Sequence, residues 1–578
     1  MSSQVDYSLY LVTDSTEAIL GSRDLVEVVE QALHGGPSHF PLFICTLRPT
    51  NVKLQTPSID NVAGVTIVQY RDKKSDTGVL ISTAKKLHEK CKQHNVPLLI
   101  NDRVDVALAV GCEGVHLGQD DMNIVEARRI LGENKIIGAT VSSIEETRIA
   151  VERGADYLGI GTLYATQTKK NTKEVIGVNG IRKILSYLDQ ADEKSKNVKT
   201  VCIGGVNASN VQRVIHQLHA PRSPSLKPKT IDGVAIVSAI VGAKDAKEAS
   251  SHLQHLIKSS PPFHSSSDPV FWLEKNEDEI KALISTTDKA TAAVSTKGPL
   301  SHNMTNLVVQ NFAANVALAI GASPIMANYG EEASDLSRLG GALVVNMGTV
   351  TPEGLLNYKK AISAYNAAGG PIVLDPVGAG ATSVRRDALK QLLGAGYFDL
   401  VKGNEREIMA VARASGFTLD DSSQQRGVDS GDSLFSLEQR AYLVSRIALR
   451  ERNVVLMTGV TDVVSDGVRT YAVSNGHKYL GKITGSGCTL GTTLSAYLAA
   501  WPEDKLLAAV AGILHYEVAA EYAARREDVK GPGTFVPAFL DELFARSELI
   551  SKGNESWGKD AKVECLKNIP DAGLLKDV

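Results

Sequence analysis

The chain has 578 residues, of which 43% are apolar and 22% are charged, and its formal net charge is −3. This length suggests two or more folded units, since one domain usually takes about 100 to 200 residues. The composition excludes a disordered or collagen-like chain, and the balanced charge excludes a global basic field that would hold nucleic acid or anionic lipid. Any anion must therefore be bound locally.

The cysteines and the apolar runs indicate where the protein works. The 6 cysteines show no CxxC spacing, which argues against a zinc ribbon or a disulfide scaffold and favours a reducing compartment. No uninterrupted apolar run reaches the ~18 residues that a membrane helix needs, and the first residues lack a basic segment followed by an apolar one. We expect a cytoplasmic protein with neither a membrane nor a nucleic-acid partner.

The first part of the chain, to about residue 240, alternates short β-branched runs with helical patterns, which is typical of parallel strands joined by crossover helices. Strand candidates begin at Tyr7, Val65, Val96, Gly114, Lys135, Ala155, Lys199 and Asp232. Eight such units predict a (β/α)8 TIM barrel. Residues 35–61 are too many for a plain connection within one unit, so this segment is interpreted as a surface insertion.

A second α/β rhythm follows a Ser/Pro-rich stretch that has no apolar period. Strand-like runs begin at Ala342, Pro371, Leu400 and Asn453. The sequence therefore predicts an N-terminal TIM barrel followed by a C-terminal α/β domain. The predicted boundaries are 1–250 for the barrel, 251–269 for a linker, 270–546 for the second domain and 547–578 for a polar tail.

In the predicted barrel, polar residues collect at the carboxyl ends of strands, where functional residues of this fold lie. Gln69, Arg71 and Lys73 follow the second strand, and alternation along an extended chain points all three to one side. Two cations and an amide on one side could hold a diphosphate. A solvated strand end is the alternative.

Carboxylates follow the third and fourth strands. Asn101 and Asp102 come directly after the third strand, and Asp121 lies in the run HLGQDD after the fourth. Because Mg2+ prefers a few carboxylates together with phosphate oxygens, these residues predict a metal site beside the diphosphate. Helix N-caps at Asp102 and Asp121 are the alternative.

The later strand ends are rich in hydroxyls and glycines, which suit a phosphate at the last two loops of a barrel. The candidate residues there are Thr166, Thr168, Lys169, Gly204, Gly205, Val237 and Ser238. Ordinary turn geometry is the alternative for the glycines.

The runs QYRDK, ND, HLGQDD, TQTKK, IGGV and VSAI occur in this order and resemble thiamine-phosphate synthase, which joins hydroxymethylpyrimidine diphosphate to hydroxyethylthiazole phosphate. The resemblance implies that the pyrimidine diphosphate is bound by Gln69, Arg71, Lys73, Asn101, Thr140 and Lys169. It implies Mg2+ ligands at Asp102 and Asp121. It implies that the thiazole phosphate is bound by Thr166, Thr168, Gly204, Gly205, Val237 and Ser238. Members of the family often have Ser where this chain has Thr140, and the hydroxyl is retained.

In the second half, the run TGSGCTLG from Thr484 precedes a long helical pattern. Its amide donors could stabilise the charge on a transferring phosphoryl group, and a plain turn is the alternative. Asp375 and Glu407 could hold Mg2+ through water, with Lys402 and Thr458 near nucleotide phosphates. An N-cap and exposed helical charges are the alternative for these residues.

Together with PLSHNMTN, GASPIM and RGVDS, these runs resemble hydroxyethylthiazole kinase of the ribokinase-like superfamily. The resemblance implies that Met326 and Gly485 contact the thiazole alcohol and that Lys402 and Thr458 contact ATP. Cys488 stands where related sugar kinases have an Asp base, and a neutral thiol is a poor base, so Cys488 is expected to act mainly by positioning. The family often has Arg at the position of Lys402.

The two halves together resemble the fused bifunctional enzyme of thiamine biosynthesis found in fungi. The resemblance implies Mg2+ in both halves, ATP as a co-substrate, and a homo-oligomer with a trimeric kinase core that can build a hexamer. One rival is another phosphate-handling barrel fused to a different ribokinase-like kinase, such as a pyrimidine kinase, against which Met326 and Cys488 argue. The other is a thiamine-responsive regulator without catalysis, which the retained candidate residues disfavour.

Overall fold

The computed structural model describes residues 5–34, 64–164, 175–220, 228–263, 271–419 and 434–577. The chain divides into two compact units, the first ending at Pro261 and the second beginning at Pro262. We call them the barrel unit and the sheet unit. The predicted insertion 35–61 lies outside the described residues, as does the RGVDS run.

The barrel unit contains a closed barrel of parallel strands in which each strand pairs with the next and the last pairs with the first. The strands are β1 (Leu9–Val12), β2 (Ile67–Tyr70), β3 (Leu98–Asn101), β4 (Gly114–Leu117), β5 (Ile136–Val141), β6 (Tyr157–Gly161), β7 (Lys199–Ile203) and β8 (Gly233–Ile236). The helices are α1 (Glu17–Leu20), α2 (Leu25–His34), α3 (Thr77–Gln93), α4 (Val104–Val110), α5 (Ile124–Leu131), α6 (Ile144–Glu152), α7 (Gly177–Gln190), α8 (Glu193–Asn197), α9 (Val211–Gln217), α10 (Ser238–Val241) and α11 (Ala246–Lys258). The predicted barrel is confirmed.

Alternation along each strand separates two apolar cores. On β1, Leu9 and Leu11 join the core between strands and helices, whereas Tyr10 and Val12 point into the barrel. Because successive side chains of a strand face opposite ways, a run that is apolar throughout can fill both cores. The interior core is small and contains three tyrosines, Tyr7, Tyr10 and Tyr157.

The linker predicted over 251–269 is wrong at its start. Helix α11 continues through Lys258, buries Leu253 and begins at an Asp245 side chain that accepts from Glu248 N. The Ser/Pro composition that suggested a linker belongs only to the residues after this helix. The last part of the predicted linker, 264–269, lies outside the described residues.

The sheet unit is built on one mixed sheet of order β10-β9-β11-β12-β13-β15-β16-β17-β18, parallel up to β15 and antiparallel beyond it. The strands are β9 (Leu300–Met304), β10 (Ser323–Ile325), β11 (Ala342–Asn346), β12 (Ile372–Asp375), β13 (Leu400–Asn404), β14 (Phe417–Thr418), β15 (Val454–Thr458), β16 (Asp462–Ser465), β17 (Thr470–Val473), β18 (Val563–Cys565) and β19 (Lys576–Asp577). Strands β14 and β19 form a separate antiparallel pair.

Helices cover this sheet, and its two apolar cores follow the alternation of its strands. Val344 and Val373 belong to one core, and Leu343 and Ile372 belong to the other. The helices are α12 (Asn276–Lys297), α13 (Gln310–Ala319), α14 (Ala333–Arg338), α15 (Pro352–Ala368), α16 (Ser383–Ala395), α17 (Glu405–Ala414), α18 (Leu437–Glu451), α19 (Ser486–Ala500), α20 (Lys505–Arg525) and α21 (Pro532–Ser551). Among described helices, α20 alone is long and apolar enough to cross a membrane, and 94% of its apolar window is buried inside the unit.

The tail predicted over 547–578 is wrong, because this segment is part of the sheet unit. Helix α21 runs through Ser551, and β18 pairs with β17 at the edge of the sheet. Between them, the Trp557 side chain is buried and its indole N–H donates to Thr291 Oγ1 at 2.9 Å. The strands here are only two or three residues long, too short for alternation to be recognised in a polar sequence.

Candidate active sites

A cavity of about 540 Å3 opens at the carboxyl ends of the barrel strands. The predicted residues that line it are Gln69, Arg71, Lys73, Asn101, Asp102, Asp121, Thr140, Gly204, Gly205, Val237 and Ser238. Thr166, Thr168 and Lys169 lie outside the described residues. The structure thus gathers in one cavity all the barrel candidates that it describes.

Arg71 and Lys73, the cations of this cavity among the described residues, each face a carboxylate. Lys73 Nζ lies 2.9 Å from Asp102 Oδ2, and Arg71 Nη1 lies 3.7 Å from Asp14 Oδ2. Asp14, which the sequence reasoning missed, is almost fully buried and follows β1. The Arg71 backbone N–H also donates to Thr13 Oγ1 at 2.9 Å. The end of β1 therefore holds Arg71 in place.

Asp102 and Asp121 come together, as the metal prediction requires. The N-cap alternative is wrong for both, since Arg103 precedes α4 and the side chain of Asn123 caps α5. Burial and the neighbouring Asp102 raise the pKa of Asp121. Although burial opposes it, the pKa of Asp102 is lowered, because Asp121 and Lys73 hydrogen-bond to its carboxylate. Two adjacent carboxyl groups at an open mouth suit Mg2+ that also binds substrate oxygens.

The turn after β7 requires glycine. Gly204 and Gly205 have φ of 117° and 68°, and a Cβ on Gly204 would lie 2.6 Å from Thr162 Cγ2. Ser238 is the first residue of the short helix α10, directly after β8. The turn and this helix start lie in the same cavity, where backbone N–H groups and the Ser238 hydroxyl are suitable donors for a phosphate.

The second site lies at the carboxyl ends of the parallel strands of the sheet unit. Asn306 Nδ2 donates to Cys488 Sγ at 3.5 Å and to Asn346 Oδ1 at 3.1 Å. Asn346 Nδ2 in turn donates to Asp375 Oδ2 at 2.9 Å. Hydrogen bonds therefore connect Cys488 to Asp375 through two asparagines that the sequence reasoning missed. Asn306 lies two residues after β9 and Asn346 ends β11, and this position at strand ends is the signal that could have found them.

Lys402 lies beneath the glycine-rich turn. Its Nζ is 3.0 Å from Asp375 Oδ1 and donates to the Gly487 carbonyl oxygen at 2.8 Å. Both side chains of the ion pair are buried. Burial alone would lower the pKa of Lys402, but Asp375, Cys488 and Glu407 raise it. The ammonium group is therefore anchored to the protein from two sides.

The glycine-rich turn precedes α19, in which Cys488 occupies the first turn. Gly485 has a φ of 87°, and a Cβ there would lie 2.6 Å from Val309 Cγ2, so both conformation and space require glycine. Burial, with the charge of Asp375 added, raises the pKa of the Cys488 thiol to about 11. With this pKa the thiol is neutral at physiological pH, and a neutral thiol is a poor base.

Glu407 is part of a helix cap. Its Oε2 accepts from Asn404 N and its Oε1 from Gly378 N, both at 2.8 Å, in a capping box at the start of α17. Burial and the charge of Asp375 raise the pKa of Glu407 to about 7.

The two remaining predicted residues lie at other strand ends. Thr458 ends β15 opposite Asn404. Met326 follows the edge strand β10 and is half-buried.

Comparison with known proteins identifies both halves. Residues 9–240 match the model of the family described as thiamine monophosphate synthase, and residues 291–548 match the hydroxyethylthiazole kinase family. A protein of Schizosaccharomyces pombe described as a probable thiamine biosynthetic bifunctional enzyme is 39% identical over 98% of this chain and 99% of its own length. The chain belongs to this family of fused bifunctional enzymes. A member from Saccharomyces cerevisiae is 35% identical over 97% of the chain and 98% of its own length.

The two family matches fall in separate units of this bifunctional enzyme. The synthase match lies within the barrel unit, and the kinase match within the sheet unit. A hydroxyethylthiazole kinase of Listeria monocytogenes is 42% identical over 43% of the chain and 88% of its own length. The kinase match ends at residue 548, so β18 and β19 lie beyond it.

Proposed function

We propose that the barrel unit condenses hydroxymethylpyrimidine diphosphate with hydroxyethylthiazole phosphate, giving thiamine phosphate and diphosphate. The observation that carries this proposal is the convergence of Arg71, Lys73, Asp102 and Asp121 on one cavity that also contains the Gly204 turn. Cations for a diphosphate, carboxylates for a metal and backbone donors for a second phosphate are the groups that this reaction needs.

The condensation needs a good leaving group more than a protein nucleophile. Arg71 and Lys73 neutralise the charge that develops on the departing diphosphate as its bond to the pyrimidine methylene carbon breaks. The thiazole nitrogen, held in place through the thiazole phosphate, then forms the new bond to that carbon. Mg2+, when held by Asp102 and Asp121, supplies further positive charge to the diphosphate.

The sheet unit, on this proposal, phosphorylates hydroxyethylthiazole with ATP and so produces the thiazole phosphate that the barrel unit consumes. The backbone donors from Gly485 to Cys488 stabilise the transferring phosphoryl group, and Lys402 adds positive charge beneath them. Asp375 and Glu407 would hold Mg2+ through water, and Thr458 lies at the same edge of the sheet for contact with ATP. Cys488 positions Asn306 rather than removing a proton.

An oligomer with a trimeric kinase core, built from several copies of the chain, is also proposed. Leu307 and Val308, directly after Asn306, are 76% and 70% exposed. Exposed apolar side chains next to a catalytic network favour a contact with another copy, which would also complete the site for the thiazole alcohol that includes Met326 and Gly485. A cytoplasmic location is proposed because the cysteines that the structure describes form no disulfide.

A coupled assay tests the two activities. Purified full-length protein is given hydroxyethylthiazole, pyrimidine diphosphate, Mg2+ and ATP, and thiamine phosphate is measured. We expect product only when ATP is present, and thiazole phosphate should restore product without ATP. Removal of Mg2+ with a chelator should stop both reactions. If no product forms even with thiazole phosphate supplied, the synthase assignment is wrong and a regulator without catalysis becomes the better hypothesis.

The kinase rival is tested separately by substrate profiling. Phosphorylation of hydroxymethylpyrimidine in preference to hydroxyethylthiazole would contradict the proposed kinase specificity and favour the rival reading as a pyrimidine kinase. The opposite preference supports the proposal.

A further inference from the structure

A continuous row of hydrogen-bonded side chains crosses the floor of the barrel cavity. Its five hydrogen bonds measure between 2.6 and 2.8 Å. In order along the row, its members are Thr140, His116, Tyr157, Tyr10, Gln69 and Asn101. The two end residues come from β5 and β3, and both line the cavity.

The direction of the hydrogen bonds follows from Gln69. Its carboxamide oxygen accepts from the Tyr10 hydroxyl, so the Tyr10 oxygen must accept from Tyr157. The Tyr157 oxygen then accepts from Nδ1–H of His116, at 2.7 Å. Burial raises the pKa of both tyrosines well above the usual value, so each keeps the proton that it donates.

Each end of the row therefore presents one kind of group to the cavity. In the tautomer that carries its proton on Nδ1, the His116 ring accepts at Nε2, and the Thr140 hydroxyl, 2.8 Å away, is the donor. The Thr140 oxygen is left as an acceptor. At the other end, Gln69 Nε2 donates to Asn101 Oδ1 at 2.6 Å, which leaves the Asn101 Nδ2 group as a donor. Within the described part of the chain, this group has no protein acceptor.

We propose that Tyr10, Tyr157 and His116 are positioning residues that fix the hydrogen-bonding pattern of the pyrimidine subsite, an acceptor at Thr140 and a donor at Asn101. The inference rests on the proposed synthase function. An aminopyrimidine matches this pattern, because its amino group donates and its adjacent ring nitrogen accepts. Its oxo counterpart has the reverse pattern, since the carbonyl accepts and the ring N–H donates. A site whose donor and acceptor are fixed rejects the oxo form, because the ligand's carbonyl would face the acceptor and its ring N–H would face the donor, leaving all four groups unpaired.

Hydroxyl deletions in the row test the proposal. Tyr157→Phe and Tyr10→Phe each break it, and Tyr10→Phe also serves if Tyr157→Phe does not fold. Tyr7→Phe is the matched control: the Tyr7 ring packs 5.0 Å from that of Tyr157 and its hydroxyl is buried, but no hydrogen bond joins it to the row. For each full-length protein, kcat/KM is measured with the amino and the oxo pyrimidine diphosphate, using thiazole phosphate as the second substrate.

The wild-type protein should favour the amino substrate by ~10³-fold or more. Tyr157→Phe and Tyr10→Phe should each lower this ratio by at least about tenfold and raise KM for the pyrimidine diphosphate, with KM for thiazole phosphate unchanged. The double variant should match the single ones, because both changes break one row. Tyr7→Phe should keep the wild-type ratio.

Two failures are distinguishable. If the wild-type protein is active but Tyr157→Phe and Tyr10→Phe keep its ratio, or Tyr7→Phe lowers the ratio equally, the positioning role is wrong and the synthase function stands. If the wild-type protein forms no thiamine phosphate from the amino substrate, the synthase function is wrong and this inference falls with it.

Discussion

The two active sites use lysine–aspartate pairs in opposite ways. In the barrel unit the side chains of Lys73 and Asp102 are 57% and 20% exposed, whereas in the sheet unit those of Lys402 and Asp375 are 4% and 0% exposed. Water screens the first pair, so Lys73 can exchange its protein carboxylate for a substrate phosphate at little cost. The second pair is buried, and breaking it leaves an uncompensated charge. On the proposed function, Lys73 is thus available to bind the substrate diphosphate, whereas the second pair is part of the scaffold.

The largest effect is expected for Lys402→Met, which leaves Asp375 buried without its cation. The sheet unit should lose about 3–5 kcal/mol of stability and kinase activity should be lost. Thermal unfolding and the kinase assay measure both. The double variant Lys402→Met/Asp375→Asn is the control, and should recover most of the stability but not the activity. If the Lys402→Met variant unfolds at the same temperature as the wild-type protein, the buried pair is not a scaffold element.

Lys73→Ala should separate activity from stability. Because Lys73 is solvent-exposed, its loss should change the stability of the barrel unit by less than about 0.5 kcal/mol. Synthase activity should fall by ~10²–10³-fold, since charge opposite the leaving diphosphate is removed. Denaturant unfolding measures the stability of the barrel unit, and the assay with thiazole phosphate measures the synthase activity. The kinase activity of the same sample is the control. If Lys73→Ala lost as much stability as Lys402→Met, the exposed pair would be as important for folding as the buried pair, and the proposed difference between the two sites would be wrong.

A third test concerns the pH dependence of the buried charges in the sheet unit. Asp462 opens β16 and is buried near Glu517 of α20 and Arg440 of α18, and burial raises its pKa to about 6. Because this lies above the value of about 3.9 in an unfolded chain, Asp462 favours folding at low pH, and that contribution is lost as pH rises through about 6.

Asp462→Asn should therefore stabilise the sheet unit by about 3 kcal/mol at pH 8 but by only about 1 kcal/mol at pH 4.5. The measurement is the unfolding midpoint of the sheet unit at both pH values in the full chain. An equal shift at the two pH values would mean that the substitution acts through packing and not through the charge.

The smallest effect is expected for Cys488→Ser, which keeps a hydrogen-bond acceptor for Asn306. The kinase kcat should fall by no more than about tenfold, the equivalent of one weakened hydrogen bond. With the thiol pKa at about 11, wild type and variant should share one kcat profile between pH 6 and 9. A loss of ~10²-fold or more, with a changed profile, would instead make Cys488 the general base.

The periodic part of the fold was predictable from sequence, and the exceptions have physical reasons. The barrel strands and β11, β12, β13 and β15 are apolar runs buried on both faces, which composition alone reveals. The start of the predicted linker and the predicted tail were wrong, because α11 and β18 gain their stability from partners far along the chain. Without knowledge of those partners, the sequence of a short strand or of the last helix of a unit cannot be told from that of a polar loop.

In the candidate sites, too, residues were found where local sequence was sufficient and missed where a distant partner was needed. Residues that follow strands, such as Arg71, Asp102 and Asp375, were found because parallel strands end at one edge. Tyr10 and Tyr157 were missed, because their hydrogen bond joins β1 to β6 across the barrel. Asn306 and Asn346 were missed for the same reason, since one asparagine is informative only when its neighbour on the next strand is known.

The position of β18 at the edge of the sheet has a consequence for synthesis on the ribosome. The barrel unit has all its strands once Ile236 has emerged, and α11 completes it soon afterwards. The sheet unit, in contrast, waits for Cys565, roughly 300 residues later, which at about 5–20 residues per second is on the order of 15–60 s. Strand β17 is complete at Val473, so its edge is exposed to neighbouring nascent chains while the roughly 90 residues up to Cys565 are made. Chaperone dependence during translation should therefore concentrate on the second half of the protein.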